Sequence, residues 1–129
     1  MEYLFRGKAL SNHEEWVYGC YVKQLQSMGK FVSYICTKPS DSRHFVEVLD
    51  KTVGIWTGLY DKFGTKIFEG DIVRLPNPKY KNLSSWNNTE VVKFDRGGFS
   101  PFCVPGWEIV PYSDNCLVIG NKYENPELL

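Results

Sequence analysis

The stretch Thr57-Gly58-Leu59-Tyr60-Asp61-Lys62-Phe63-Gly64-Thr65-Lys66-Ile67-Phe68-Glu69-Gly70-Asp71-Ile72-Val73 sets two turn signals between short apolar runs. It reads as the wall of a small β-barrel and holds no catalytic centre. Asp61 and Gly64 bracket a tight reversal, because an Asp side chain caps its own turn and Gly accepts the positive φ that closes it. Glu69, Gly70 and Asp71 mark a second break, after which Ile72 to Leu75 resume as a strand.

The same punctuation extends in both directions. Upstream, Trp16 to Val22 and Phe31 to Thr37 are rich in residues that suit a pleated surface, and Ser27-Met28-Gly29-Lys30 between them predicts a hairpin. Lys38 to Ser42 is a loop, His44 to Leu49 a third strand, and Asp50-Lys51 a turn. Val53 to Tyr60 follows, with Gly54 and Gly58 predicting a bend or bulge. Downstream, Pro76 to Asn88 is a long surface loop with two prolines and four asparagines. Glu90 to Asp95 alternates, with Val92 and Phe94 on one face, and Arg96-Gly97-Gly98 returns the chain antiparallel through Phe99 to Val104. Gly106 to Val110 and Cys116 to Ile119 close the pattern, and Asn125 to Leu129 suits one helical turn with Pro at its first position. No segment carries an apolar stripe at helical period over three turns. Short strands with frequent Gly and Pro indicate a mainly β small barrel or roll with little helix. Trp16, Trp56 and Trp107 fall in strand-like runs and are expected in the core or at a barrel seam.

Composition removes several function classes. The 129 residues are enough for one domain or two very small ones sharing a core, and 43% hydrophobic and 16% aromatic residues can fill that core. Fifteen basic and fifteen acidic side chains cancel, and the balance also holds within residues 1–51 and 52–129. An evenly mixed surface argues against strong general affinity for nucleic acid. The N-terminus lacks the basic start and apolar run of a secretory signal, and no stretch approaches the ~18 to 20 apolar residues of a membrane span, so a cytoplasmic location is expected. Cys20, Cys36, Cys103 and Cys116 have no Cys-x-x-Cys spacing and no histidine at a ligand-like interval, so reduced, mostly buried thiols are expected and no zinc site.

Six blocks carry a family resemblance: Phe5-Arg6-Gly7-Lys8, Trp16-Val17-Tyr18-Gly19, Thr52 to Leu59, Asp61-Lys62-Phe63-Gly64, Ile67 to Val73, and Ile119 to Leu129. Taken in order, they resemble the YopX family of phage and prophage proteins, from Phe5 to Leu129, and the last two blocks are the most specific. The resemblance implies a β-rich N-terminal segment over residues 1–51, an SH3-like barrel over residues 52–129, and a phage or prophage origin. It brings no assigned reaction and no catalytic residues. The chain departs from the family pattern at Ile55 and Trp56, where Gln and Tyr are more typical, and in the loop after Leu75.

Candidate chemistry is sparse. Asp61, Glu69, Asp71 and Asp95 lie at strand ends, where converging carboxylates could hold Mg²⁺ or act as acid and base. Acids beside Gly more commonly cap backbone amides, and that reading ranks first. His13 and His44 are the only histidines, sit in no hydrolase motif, and read as surface residues. Gly97-Gly98 precedes a strand-like Phe99 and so cradles no phosphate. The loop after Leu75 is the better contact element: Arg74, Lys79 and Lys81 supply cations, Tyr80 and Trp86 flat faces, and no acid occurs between Ile72 and Thr89. Such a loop can stack single-stranded nucleic acid or anchor a protein. The resulting expectation is a non-enzymatic module without a cofactor, binding a protein partner or itself through loops and exposed strand edges. Single-stranded nucleic acid ranks second and a carboxylate-dependent metal enzyme third.

Overall fold

The computed structural model describes residues 3–38, 44–75, 88–95, 98–100 and 116–129, with Asn88 and Asp95 described by their backbone alone. Among these residues the protein is mainly β, and its helical pieces are three-residue 3₁₀ turns at Ser27–Gly29, Asp50–Thr52 and Pro126–Leu128. The last has Pro at its start, as the sequence predicts. None of the helices described is long and apolar enough to cross a membrane. The chain divides into two compact units, Met1–Trp56 and Thr57–Leu129, and passes from one to the other within a single strand.

In the first unit, β1 (Phe5–Lys8), β2 (Trp16–Leu25), β3 (Phe31–Cys36), β4 (Phe45–Glu47) and the start of β5 (Gly54–Tyr60) form a sheet in the order β4-β3-β2-β1-β5. The β2–β3 hairpin is the one predicted, running in unbroken register from Cys20–Cys36 to Leu25–Phe31. Beyond its ladders the sheet curls: Ala9 bridges Val48, Leu10 N donates to Glu47 O, and Leu49 N donates to Lys8 O. Curling brings Ala9, Val17, Ile35 and Val48 together as a buried core, with Phe5, Tyr21, Val46 and Val53 packed against it. Burial of each larger aliphatic side chain there contributes about 1.5–3 kcal/mol. Thr52 ties the 3₁₀ turn to β1, accepting from Lys8 N at 2.9 Å and donating to Leu49 O at 2.6 Å.

In the second unit, the end of β5 neighbours β6 (Lys66–Phe68), and β7 (Asp71–Leu75) lies between β11 (Leu117–Asn121) and β8 (Asn88–Val91). β9 (Lys93–Asp95) pairs with β10 (Gly98–Ser100). Ile67, Val73, Leu75, Val92 and Cys116 form its core. Both turns of the opening stretch are as read: Asp61 caps the first, Gly64 has φ +81°, and Gly70 in the second has φ +94°. The final motif block is likewise turn chemistry. Asn121 Oδ1 accepts from Tyr123 N and Glu124 N, while Asn125 Oδ1 accepts from Asn121 N.

Three expectations are corrected. The sheets are open and no closed barrel forms among the described residues, and the run from Asn88 to Asp95 changes partner at Val92. Its first half pairs with β7, its second with β10, and Val92 is held by Val92 N donating to Asp71 O and Gly70 N donating to Val92 O. The same break separates Val92, which is buried, from Phe94, which is 58% exposed against Phe99. Trp16 and Trp56 are half-buried and lie outside the two buried cores. Arg6 and Lys8 cover the Trp16 ring at 4.5 and 5.3 Å, a placement that lets two buried cations face a π surface. Trp107 lies outside the described residues.

Candidate functional site

The acidic residues serve the backbone. Asp61 is buried, its Oδ1 accepts from Phe63 N and Thr65 N at 2.9 Å each, and its Oδ2 accepts from Val118 N at 3.1 Å. Asp71, also buried, accepts from Phe68 N at 2.8 Å across the Glu69–Gly70 turn. Glu69 is half-buried, and the side chain of Asp95 lies outside the described residues. Among the described residues no group of three or more His, Cys, Asp or Glu side chains is placed to hold a metal ion. Of the described thiols, Cys36 and Cys116 are buried and Cys20 is exposed; Cys103 is outside the described residues.

Of the predicted contact residues, Arg74 is exposed on β7, where it pairs in register with Leu117 and Thr89. Lys79, Tyr80, Lys81 and Trp86 lie outside the described residues.

The first unit supplies a site that the motif reading missed. Opposite residues of an antiparallel pair share a face, so Cys20–Cys36, Val22–Tyr34 and Gln24–Val32 stand on one side of β2–β3, and Tyr34–Glu47 and Cys36–Phe45 carry that side onto β4. Tyr21, Ile35 and Val46, one residue out of phase, turn to the core. Val22, Gln24, Tyr34 and Phe45 of the outer side, with Lys23 between them in the chain, line a groove of about 460 Å³. Tyr34 and Phe45 meet edge-on at 6.4 Å, and Phe45 remains 40% exposed. At the hairpin tip Leu25 and Phe31 are exposed on the opposite face, in phase with Tyr21 and Lys23, and Met28 is fully exposed with a left-handed φ of 68°. An uncovered apolar stretch of this kind marks a contact surface more often than an accident of composition. Its sequence signature is visible in retrospect: Trp16 to Val22 is apolar at both parities, more than one buried face can absorb.

Lys23 links the groove to a polar cluster on the inner side. Asp50 Oδ1 accepts from Tyr21 OH and, at 2.6 Å, from Ser33 Oγ, and its Oδ2 lies 3.7 Å from Lys23 Nζ. The Ser33 hydroxyl first, then the Tyr21 hydroxyl, holds the Asp50 carboxyl below its ordinary 3.8, with Lys23 adding a smaller pull. Burial first, then the hydrogen bond to Asp50, raises Tyr21 above 10.0. A carboxyl depressed in the folded state adds stability that is complete above pH 3.8 and lost as pH falls through the lower folded value. A raised phenol adds stability that is complete below pH 10.0 and lost as pH rises through the higher folded value. Asp50→Asn therefore flattens the acid limb of the stability curve. Urea unfolding of both proteins at several pH values checks this; parallel acid limbs would refute it.

The fold and surface define a two-unit, mainly β protein with an open apolar groove on its first sheet. The chain belongs to the YopX protein family, whose profile matches residues 4–129. Among solved structures it is similar to protein EF1440 from Enterococcus faecalis, with 25% identity and a TM-score of 0.58 over 100% of this chain and 99% of that one. No curated protein matches it.

Proposed function

We propose that this chain is a non-catalytic protein-binding module of phage or prophage origin, acting in the cytoplasm of a bacterial host. The groove on the outer side of β2–β3–β4 carries the reading. It offers Val22, Tyr34 and Phe45 to a partner on a sheet held rigid by a buried core. Aromatic anchors on such a support dominate interface energetics, and Phe45 is 40% exposed there. On the side of chemistry, Asp61 and Asp71 accept bonds from turn amides, an employment that supports a structural role for both acids. The second unit is best regarded as an SH3-like arrangement whose sheets stay open, and family membership supports that assignment.

Photo-crosslinking tests the reading. A benzophenone amino acid at Phe45 is expected to capture a protein, a second copy included, whereas the same group at the exposed turn residue Phe63 captures none. Phe45→Ala should weaken the captured interaction about tenfold or more while leaving stability within ~1 kcal/mol. Equal capture at both positions, or salt-sensitive binding of single-stranded oligonucleotides unaffected by Phe45→Ala, contradicts the proposal.

A further inference from the structure

We infer that Cys20 and Cys36 are a reversible thiol–disulfide pair built across β2 and β3. The two residues are direct cross-strand partners, both are free thiols, and one is exposed while the other is buried. No Cys-x-x-Cys spacing announces them; fifteen residues of hairpin separate the two positions and only the register brings them together.

Geometry permits the bond. Gln26 N donates to Lys30 O at 2.6 Å, and the register from Cys20–Cys36 to Leu25–Phe31 is unbroken. Hydrogen-bonded pairs recur at every second residue of an antiparallel ladder, so Cys20–Cys36 is in phase with Gln26–Lys30 and its Cα atoms stand about 5.5 Å apart. Disulfides span Cα separations of roughly 4.4–6.8 Å, and the Cβ atoms of a hydrogen-bonded pair, about 5.5 Å apart, must close by about 1 Å to reach bridging distance, a strain that keeps the bond reducible. In the reduced protein Cys36 Sγ donates to Lys38 O at 3.1 Å, so closing the bridge requires that side chain to turn from the carbonyl toward Cys20.

The chemistry is thiol–disulfide exchange with a small-molecule disulfide such as oxidised glutathione. The exposed Cys20 thiolate attacks one sulfur of the oxidant, forming a mixed disulfide and releasing one glutathione thiolate. Cys36 thiolate then attacks the Cys20 sulfur, forming the intramolecular bond and displacing the second glutathione. Both cysteine protons pass to the two released thiolates, and the two electrons reduce the oxidant. With Cys20 exposed, excess thiol can attack the bridge at that sulfur and reopen it. Because Cys36 is also the cross-strand partner of Phe45, the bridge closes at one end of the groove.

Full-length protein is equilibrated with oxidised and reduced glutathione, quenched by alkylation in denaturant, and mapped by mass spectrometry. The expected result is joint loss of alkylation at Cys20 and Cys36, a peptide linked through those two residues, and full recovery of both sites in excess reduced glutathione. Cys36→Ser should instead accumulate a stable glutathione adduct on Cys20, and Cys20→Ser, altered at the exposed position, should leave Cys36 alkylatable in denaturant. A stable glutathione adduct on Cys20 of the unaltered chain, with Cys36 still free, overturns the inference. So does a linkage to Cys103 or Cys116.

Discussion

Asp61→Ala is expected to lower unfolding free energy by about 3 kcal/mol or more, because it strips acceptors from three backbone amides at once. Phe63 N, Thr65 N and Val118 N all end on this one buried carboxylate. The three bonds are part-buried, so each amide left without its acceptor costs about 1 kcal/mol, the low end for a donor losing its partner, and the alanine methyl replaces none of the three. Asp61→Asn separates the effects. Its carbonyl oxygen can still accept from Phe63 and Thr65, while its amide turns a donor toward Val118 N, so an intermediate loss is expected. Hydrogen exchange should localise the damage: amide protection falls at Phe63, Thr65 and Val118 in the alanine variant, and at Val118 first in the asparagine variant. Stability of Asp61→Ala within ~0.5 kcal/mol of the unaltered chain would show that solvent satisfies these amides and that the carboxylate is free for other work.

Gly19→Ala is the second large effect, and its cause is close approach of backbone to backbone. A Cβ at position 19 would sit 2.1 Å from the Cys36 carbonyl oxygen and 2.8 Å from its carbon. No rotamer relieves an overlap with main-chain atoms; β2 and β3 must separate, breaking the pairing that positions both the core residue Ile35 and the groove residue Tyr34. A loss of ~3 kcal/mol or more in urea unfolding is expected, at the upper end for overpacking. Gly29→Ala provides the control. Its φ of +75° makes an added Cβ unfavourable, but nothing lies within 4 Å, so only the backbone term of ~1 kcal/mol applies. Equal losses in the two variants would mean that β2 and β3 part without difficulty, and the rigid support claimed for the groove would go with that result.

Much of the fold was legible because its causes are local. Asp61 reaches amides two and four residues away, Asp71 one three residues back, and Asn121 those two and three ahead; residue type and short spacing are enough to anticipate such bonds. The β2–β3 hairpin belongs to the same class, with strand-forming runs on either side of a Gly-containing turn. The motif blocks that carry family membership are largely these turns. They therefore identify the family without pointing to a site.

Other features depend on partners distant in the chain. Val92 and Phe94 alternate correctly as written, yet β8 belongs to β7 and β9 to β10, and a change of partner between them cannot be seen in hydropathy. Strand number and punctuation suggest closure into a barrel; whether edges meet depends on such changes of partner. The groove escapes a linear reading for a related reason. Val22, Tyr34 and Phe45 look like core residues in sequence, and exposure is a property of what lies over a face.

Residue order alone determined the β character, the two reversals after Tyr60, the hairpin and the Pro-led C-terminal turn, because each rests on bonds that a few neighbouring residues make among themselves. Tertiary structure decided which side of β2–β3 stays uncovered, where the strand run breaks at Val92, and that Cys20 stands opposite Cys36. Those outcomes follow from register and curl, which are set when distant strands compete for the same hydrogen bonds and the same buried volume.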